Sequence, residues 1–167
     1  MKGSSRSRGP RAFLLREPLG LLDAWAEADH FARRTQTGRY TGFGGSPLEL
    51  AHQLRQLSAD QSLAIAFTQW TAAWLRHPHT EPVVVSACIA RLPDDSVLDA
   101  IGLRPVSDAG KVWLHVPDDE GVFLETQTAK ELPLVSDAQI YLDLLKTGLR
   151  GPDAAAVLRN WEGFCRP

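Results

Sequence analysis

The residues with the richest chemistry lie in the last quarter of the chain. They occupy Ser136-Asp137-Ala138-Gln139-Ile140-Tyr141-Leu142-Asp143-Leu144-Leu145 and the Arg150-Gly151 pair that follows. Two carboxylates, a carboxamide, a phenol and a guanidinium in one short segment are groups from which a binding patch or an acid–base site is built. Their spacing is also that of helix punctuation. Ser136 with Gln139 three positions on has the form of a capping box, which satisfies two orphan amides of a first helical turn. Ile140, Leu144 and Leu145 recur at helical spacing and Gly148 stands where a C-cap belongs; Pro152 with Asp153 opens a second helix. Two roles are therefore open to Gln139, Tyr141, Asp143, Arg150 and Gly151. They form one polar functional patch at the turn of a helix pair, or they are cap, edge and turn residues. In the second role Arg150 bonds to Asp143 or to the last carbonyls of the first helix.

Other constellations carry less. His77-Pro78-His79 is the nearest approach to a metal set, and two histidines without converging carboxylates or cysteines do not make a ligand sphere, so no metal is expected. No catalytic residue and no cofactor is expected either. The chain has no Gly-x-Ser-x-Gly elbow and no P-loop, and Gly42-Phe43-Gly44-Gly45 lacks the spacing of a dinucleotide loop. Asp118 or Asp119 followed by Glu125 has the order of a nuclease-like carboxylate set, but Thr126-Gln127 supplies no lysine. An orphan nuclease-like enzyme built on those carboxylates is the third-ranked reading of function.

The elements that must position these residues follow from periodicity. A first helix is expected from Pro18 to Arg33 with Leu21, Leu22, Trp25 and Ala28 on one face, then a glycine-punctuated connection over Tyr40 to Gly45 with room for a short strand. Ser46-Pro47-Leu48-Glu49 is a second capping box, starting a helix that carries Leu50, Leu54 and Leu57. Ala64 to Phe67 reads as a short buried segment. Thr68 caps a helix over Gln69 to Arg76, whose Trp70 and Trp74 share a face and read as core. Val83 to Ala90 is a strand by composition, and a short helix from Val97 to Ile101 ends at Gly102. Lys111 to Val116 alternates as a strand, and Asp118 to Gly121 is expected to turn it into a hairpin with Val122 to Thr126. Pro133 to Val135 adds an extended piece. The fold class is α+β: N-terminal helices, a small central and mostly antiparallel sheet with a hairpin, and a C-terminal helix pair.

At 167 residues, with 44% hydrophobic and 23% charged residues, the chain has ordinary globular composition. The reading is a basic tail over residues 1–12 and a single domain over 13–167. A formal charge of −2 disfavours a surface given over to nucleic acid, which needs clustered positive charge. The opening residues are the exception: Lys2, Arg6, Arg8, Arg11 and Arg16 lie among glycines and serines with no acid, the composition of a disordered tail. Weak, salt-sensitive DNA contact through Arg6, Arg8 and Arg11 is expected there, without operator preference. No apolar signal-peptide core and no membrane-length apolar run occurs, so a cytoplasmic protein without membrane contact is expected. Cys88, in an apolar run, and Cys165, near the end, read as reduced and structural.

The block from Leu132-Pro133-Leu134-Val135-Ser136 through Gln139-Ile140-Tyr141-Leu142-Asp143-Leu144 to Arg150-Gly151 and the alanine-rich Asp153 to Arg159 resembles the signature of AbiEi-family antitoxins of type IV toxin–antitoxin systems. Phe13 to Glu27, Leu63 to Ala73 and Val112 to Phe123 resemble further parts of that family, so the resemblance covers roughly residues 13 to 164. Only the Val135 to Arg150 block is specific by itself. The resemblance implies a non-enzymatic antitoxin that counteracts a nucleotidyltransferase toxin, a functional rather than a tight physical partner, in a bacterial phage-defence setting. It also implies repression of the antitoxin's own operon through a winged helix. Ahead of residue 13 there is no room for one, so the expectation for DNA rests on the basic tail, with a transcriptional regulator as the alternative reading.

Overall fold

The computed structural model describes residues 16–42, 45–148 and 150–166; Arg6, Arg8 and Arg11 lie outside the described residues. The chain opens with helix α1 (Pro18–Ala28) and a single turn α2 (Phe31–Arg34), which leads directly into strand β1 (Thr35–Gly42). The expected continuous helix to Arg33 is therefore broken. Asp29 leaves helical geometry (ψ 132°) and turns its carboxylate back to Arg34, while Thr35 Oγ1 donates to the Phe31 carbonyl. Of the apolar residues expected on one face only Leu22 is buried; Leu21 and Trp25 are half exposed.

Strand β1 is longer than the expected connection, because Thr35-Gln36-Thr37-Gly38-Arg39-Tyr40 alternates with a polar rather than an apolar set on one face. Next come α3 (Pro47–Asp60), β2 (Ile65–Phe67), α4 (Gln69–Arg76) and β3 (Val85–Ile89). The capping box at α3 is complete: Ser46 Oγ accepts from the Glu49 amide and Glu49 Oε2 accepts from the Ser46 amide. A short α5 (Asp95–Asp99) precedes β4 (Leu103–Pro105), with Gly102 (φ +77°) ending the intervening turn as expected.

Strand β5 (Val112–Pro117) does not form the expected hairpin with Val122 to Thr126. Asp119 Oδ1 accepts from the Gly121 amide and starts a 3₁₀ turn over Glu120–Phe123, so the chain leaves the sheet instead of folding back on it. It must do so, because the next two strands lie at the far edge. The hairpin of this protein is β6 (Gln127–Ala129) with β7 (Leu132–Leu134), joined by Lys130 and Glu131, both at positive φ, the geometry that a two-residue hairpin turn requires. The chain ends in α6 (Asp137–Leu145) and α7 (Gly151–Asn160).

The seven strands run in the order β4-β1-β5-β3-β2-β7-β6, with parallel pairing only at β3–β5 and β2–β7. Register sorts the side chains into two faces. One is apolar, with Tyr40, Val112, Leu114, Val85, Ala87, Ile89, Phe67 and Leu134, and meets the inner side of α3 through Ala51, Leu54 and Leu57. The other carries Thr37, His115 and Cys88 in one row and Trp113, Ser86 and Thr68 near the next. Helices α2, α4 and α6 lie on this second side, where the buried polar groups collect.

Candidate functional site

Helix α6 is buried almost all round, with Asp137 and the run Ile140 to Leu144 packed away from solvent. A carboxylate in such a helix cannot reach water. Asp143 is fully buried and has partners for both oxygens: Oδ1 accepts from Arg34 Nη2 (2.7 Å) and Gln139 Nε2 (2.7 Å), and Oδ2 accepts from Thr68 Oγ1 (2.5 Å). Arg34 also holds Asp29 with two further bonds of 2.6 and 3.1 Å. Burial pushes the Asp143 carboxyl up, and Arg34, Thr68 and Gln139 act against that shift. Burial likewise opposes the charge on Arg34, but Asp29 and Asp143 outweigh it and its pKa is raised.

This knot accounts for two departures. Gln139 turns to Asp143 instead of back to the Ser136 amide, so the capping box at the start of α6 is half formed, with only Ser136 Oγ accepting from the Gln139 amide. Thr68 stands at the N-cap of α4 but gives its hydroxyl to Asp143 and makes no cap bond. A buried carboxylate is the stronger acceptor in both cases.

The remaining signature residues lie elsewhere. Tyr141 is buried, its ring edge-on to Phe164 (6.2 Å), and its hydroxyl accepts from Arg159 Nη1 (3.0 Å); Arg159 also pairs with Asp23 and ties α1 to α7. Gly151 begins α7 against the end of α6, where a Cβ would stand 2.1 Å from the Leu144 carbonyl oxygen. No other residue fits that approach. Arg150, beside it, is exposed, and its side chain makes no hydrogen bond among the described residues. It does not reach Asp143, whose cation is Arg34.

The five residues therefore do not gather into one patch. Gln139 and Asp143 belong to the interior knot, Tyr141 to the α1–α6–α7 seam, Gly151 to the helix junction and Arg150 to the surface. Arg150 stands on the rim of a groove of about 250 Å³ between α4 and α7, lined by Trp70, Ala73, Trp74, Ala154, Val157 and Leu158. The tryptophans expected as core are half-buried and form this wall.

His77 stacks on Trp161 (5.3 Å), and no group of three or more histidine, cysteine or acidic side chains is arranged to hold a metal ion among the described residues. Asp118, Asp119 and Glu125 are exposed on the segment leaving β5, with Asp119 holding the 3₁₀ turn. Sequence reading missed Arg34, Thr68, Arg76 and Arg159. Arg76 grips Asp137 with two bonds of 2.8 Å, and Asp137 also accepts from Gln127 and the Cys165 amide. Burial opposes the charge on Asp137, yet Arg76, Gln127 and Cys165 together hold its carboxyl below the ordinary range. The available signal was the apolar company of Asp143: a charge set between Leu142 and Leu144, with Ile140 and Leu145 close by, sits in a buried stretch of helix and needs a cation there.

The sheet with flanking helices, closed by a helix pair whose polar residues mostly fix the packing, defines an α+β domain with an open groove between α4 and α7. Residues 14–162 match the family described as "Transcriptional regulator, AbiEi antitoxin, Type IV TA system". The match spans most of the chain, and the chain belongs to this antitoxin family. No significant match occurs among curated proteins or among solved structures. No helix of the described residues is long and apolar enough to cross a membrane.

Proposed function

We propose that this chain is the antitoxin of a type IV toxin–antitoxin pair, counteracting a nucleotidyltransferase-like toxin without being an enzyme itself and without a tight complex between the two. The family match supports the class, and the position of Arg150 supports the site. Among Gln139, Tyr141, Asp143 and Arg150, Arg150 alone is free of internal side-chain partners among the described residues, and it stands beside a concave surface. The other polar members are used to build the domain, as a scaffold for an antitoxic surface requires. The test is co-expression with the toxin encoded beside it: growth arrest lifted by the wild-type chain and not by Arg150→Ala supports the reading. Equal rescue by both removes Arg150 from the function, and no rescue by the wild-type chain defeats the antitoxin assignment.

The family description also names a transcriptional regulator, which supports a second reading. In it the chain contacts DNA through Arg6, Arg8 and Arg11. Mobility shifts across a salt series test this, since a contact built only on phosphate neutralisation weakens steeply with salt and ignores sequence.

A further inference from the structure

The groove between α4 and α7 joins apolar walls to a polar mouth. Its half-buried walls are Trp70 and Trp74 from α4 with Ala154 and Val157 from α7, and the exposed residues lining it are Arg150, Asp153, His79 and Thr80. Arg150 and Asp153 take part in no salt bridge among the described residues. A guanidinium and a carboxylate therefore both keep open hydrogen-bonding positions at the same mouth.

The rings of the groove are not equally occupied. The ammonium of Lys130 lies over Trp74 (4.6 Å), and His77 is stacked on Trp161 (5.3 Å). Trp70 has neither a ring nor a cation against its indole among the described residues, so it is the open stacking surface. The groove holds about 250 Å³. That is more than the roughly 150 Å³ of an apolar cavity that takes up benzene, and less than the range of about 300–1,000 Å³ for sites that enclose a whole small ligand. A planar heterocycle fits inside, and the polar groups attached to it stay at the mouth.

A ring for an indole inside, with hydroxyls for a carboxylate and an anion for a guanidinium at the mouth, are the parts of a ribonucleotide. We propose that the groove binds one, with its base against Trp70, its ribose hydroxyls donating to Asp153 and its phosphate accepting from Arg150. The inference rests on reading the chain as an antagonist of a nucleotidyltransferase-like toxin. An antitoxin that makes no tight complex with such a toxin acts on what the toxin consumes or on what it makes. The nucleotidyl group is common to both.

Isothermal titration calorimetry on the full chain tests this with two sets of probes: ATP, CTP, GTP and UTP for the free nucleotide, and the methyl esters of the four 5′-monophosphates for the transferred group. Saturable binding with a Kd below about 1 mM is expected for at least one base, and the better set identifies the source. Trp70→Leu is expected to weaken it at least about fivefold, the scale of one lost base stack. Arg150→Ala is expected to weaken the nucleotide about tenfold and to leave the parent nucleoside unchanged, because only the phosphate contact is lost. Asp153→Ala is expected to erase the preference for the ribonucleotide over its 2′,3′-dideoxy form. Circular dichroism establishes that each variant is folded; should Trp70→Leu not fold, Ala154→Leu narrows the groove in its place. Absence of saturable binding by every probe overturns the proposal, as does binding that survives both Trp70→Leu and Arg150→Ala. A second copy covering the groove would give a dimer in sedimentation and no nucleotide binding, which overturns it as well. Rescue of toxin-arrested cells is scored separately: rescue by a wild-type chain that binds no nucleotide defeats this inference alone, and nucleotide binding without rescue defeats the antitoxin reading alone.

Discussion

Arg34 and Asp143, 109 residues apart in sequence, meet at 2.7 Å and join the end of α2 to the last turn of α6. The carboxylate has no access to water and the guanidinium is mostly covered, so Asp143 depends on Arg34 for its charge, while Arg34 is shared with Asp29. Replacing Asp143 with alanine also strands the Thr68 hydroxyl and the Gln139 amide. Urea titration of Asp143→Ala is expected to show a loss of about 3 kcal/mol, the range for breaking a buried pair by removing one partner. A loss below about 1 kcal/mol contradicts a structural role for this aspartate and returns it to the candidates for function.

Gly151 is required by contact distance and not by backbone angle. A methyl group there would overlap the Leu144 carbonyl, a backbone atom that cannot swing aside. Gly151→Ala raises helix propensity by about 1 kcal/mol, yet the overlap forces α7 away from α6. The variant is expected to melt below the wild type, with a net cost of about 1–3 kcal/mol. An unchanged or higher melting temperature would sink the close-packing explanation.

Acid stability is expected to depend on His115. Its ring is buried on the polar side of the sheet, one nitrogen shared with Thr37 at 2.8 Å, the other without a partner. Burial, aided by Arg39 and Arg34, lowers its pKa from 6.5 to about 4. A histidine depressed in the fold favours folding in its neutral form. The contribution is complete above pH 6.5 and declines as pH falls toward 4, because the unfolded chain binds a proton that the fold refuses. Over that window about 3 kcal/mol of stability is lost. Denaturant midpoints measured from pH 7 to pH 4 on the wild type and on His115→Gln check this: the variant should show a distinctly shallower decline. Parallel curves would mean that His115 titrates normally.

The helix ends, the buried strands and the class of the fold were legible because each rests on local chemistry. Ser46 with Glu49, Pro47 and Gly102 state their roles within a few residues, and the Val85–Ile89 run is a buried strand by composition alone. What was not legible depends on distant partners. Strand β1 hides because its polar face is satisfied by the row that contains His115. The expected hairpin failed because the pairing of β5 with β1 and β3 is a long-range choice that outweighs the turn signal at Asp118 to Gly121. Within the signature, Ser136 read correctly as a cap. The partners of Gln139, Tyr141 and Asp143 were not legible, since Arg34, Thr68 and Arg159 come from three other parts of the chain.

The geometry separates the two signature residues that were expected to act together. Tyr141→Ala would remove a buried ring packed on Phe164, so a loss of antitoxicity in that variant would say nothing about its hydroxyl. Tyr141→Phe keeps the ring and removes only the acceptor for Arg159; with Arg159 still held by Asp23, the expected change is small, about 1 kcal/mol, with rescue intact. Arg150→Ala, by contrast, removes an exposed side chain without hydrogen-bond partners among the described residues, and its melting temperature should stay within the shift that corresponds to about 0.5 kcal/mol. Rescue of toxin-arrested cells is expected to fall sharply in this variant and to return in part with Arg150→Lys, which restores the charge but not the planar donor set. Rescue and melting temperature measured on the same three variants decide the matter. If Arg150→Ala loses stability and rescue in proportion, the arginine is a structural member of the helix junction; if it loses neither, the antitoxic surface lies away from the α4–α7 groove.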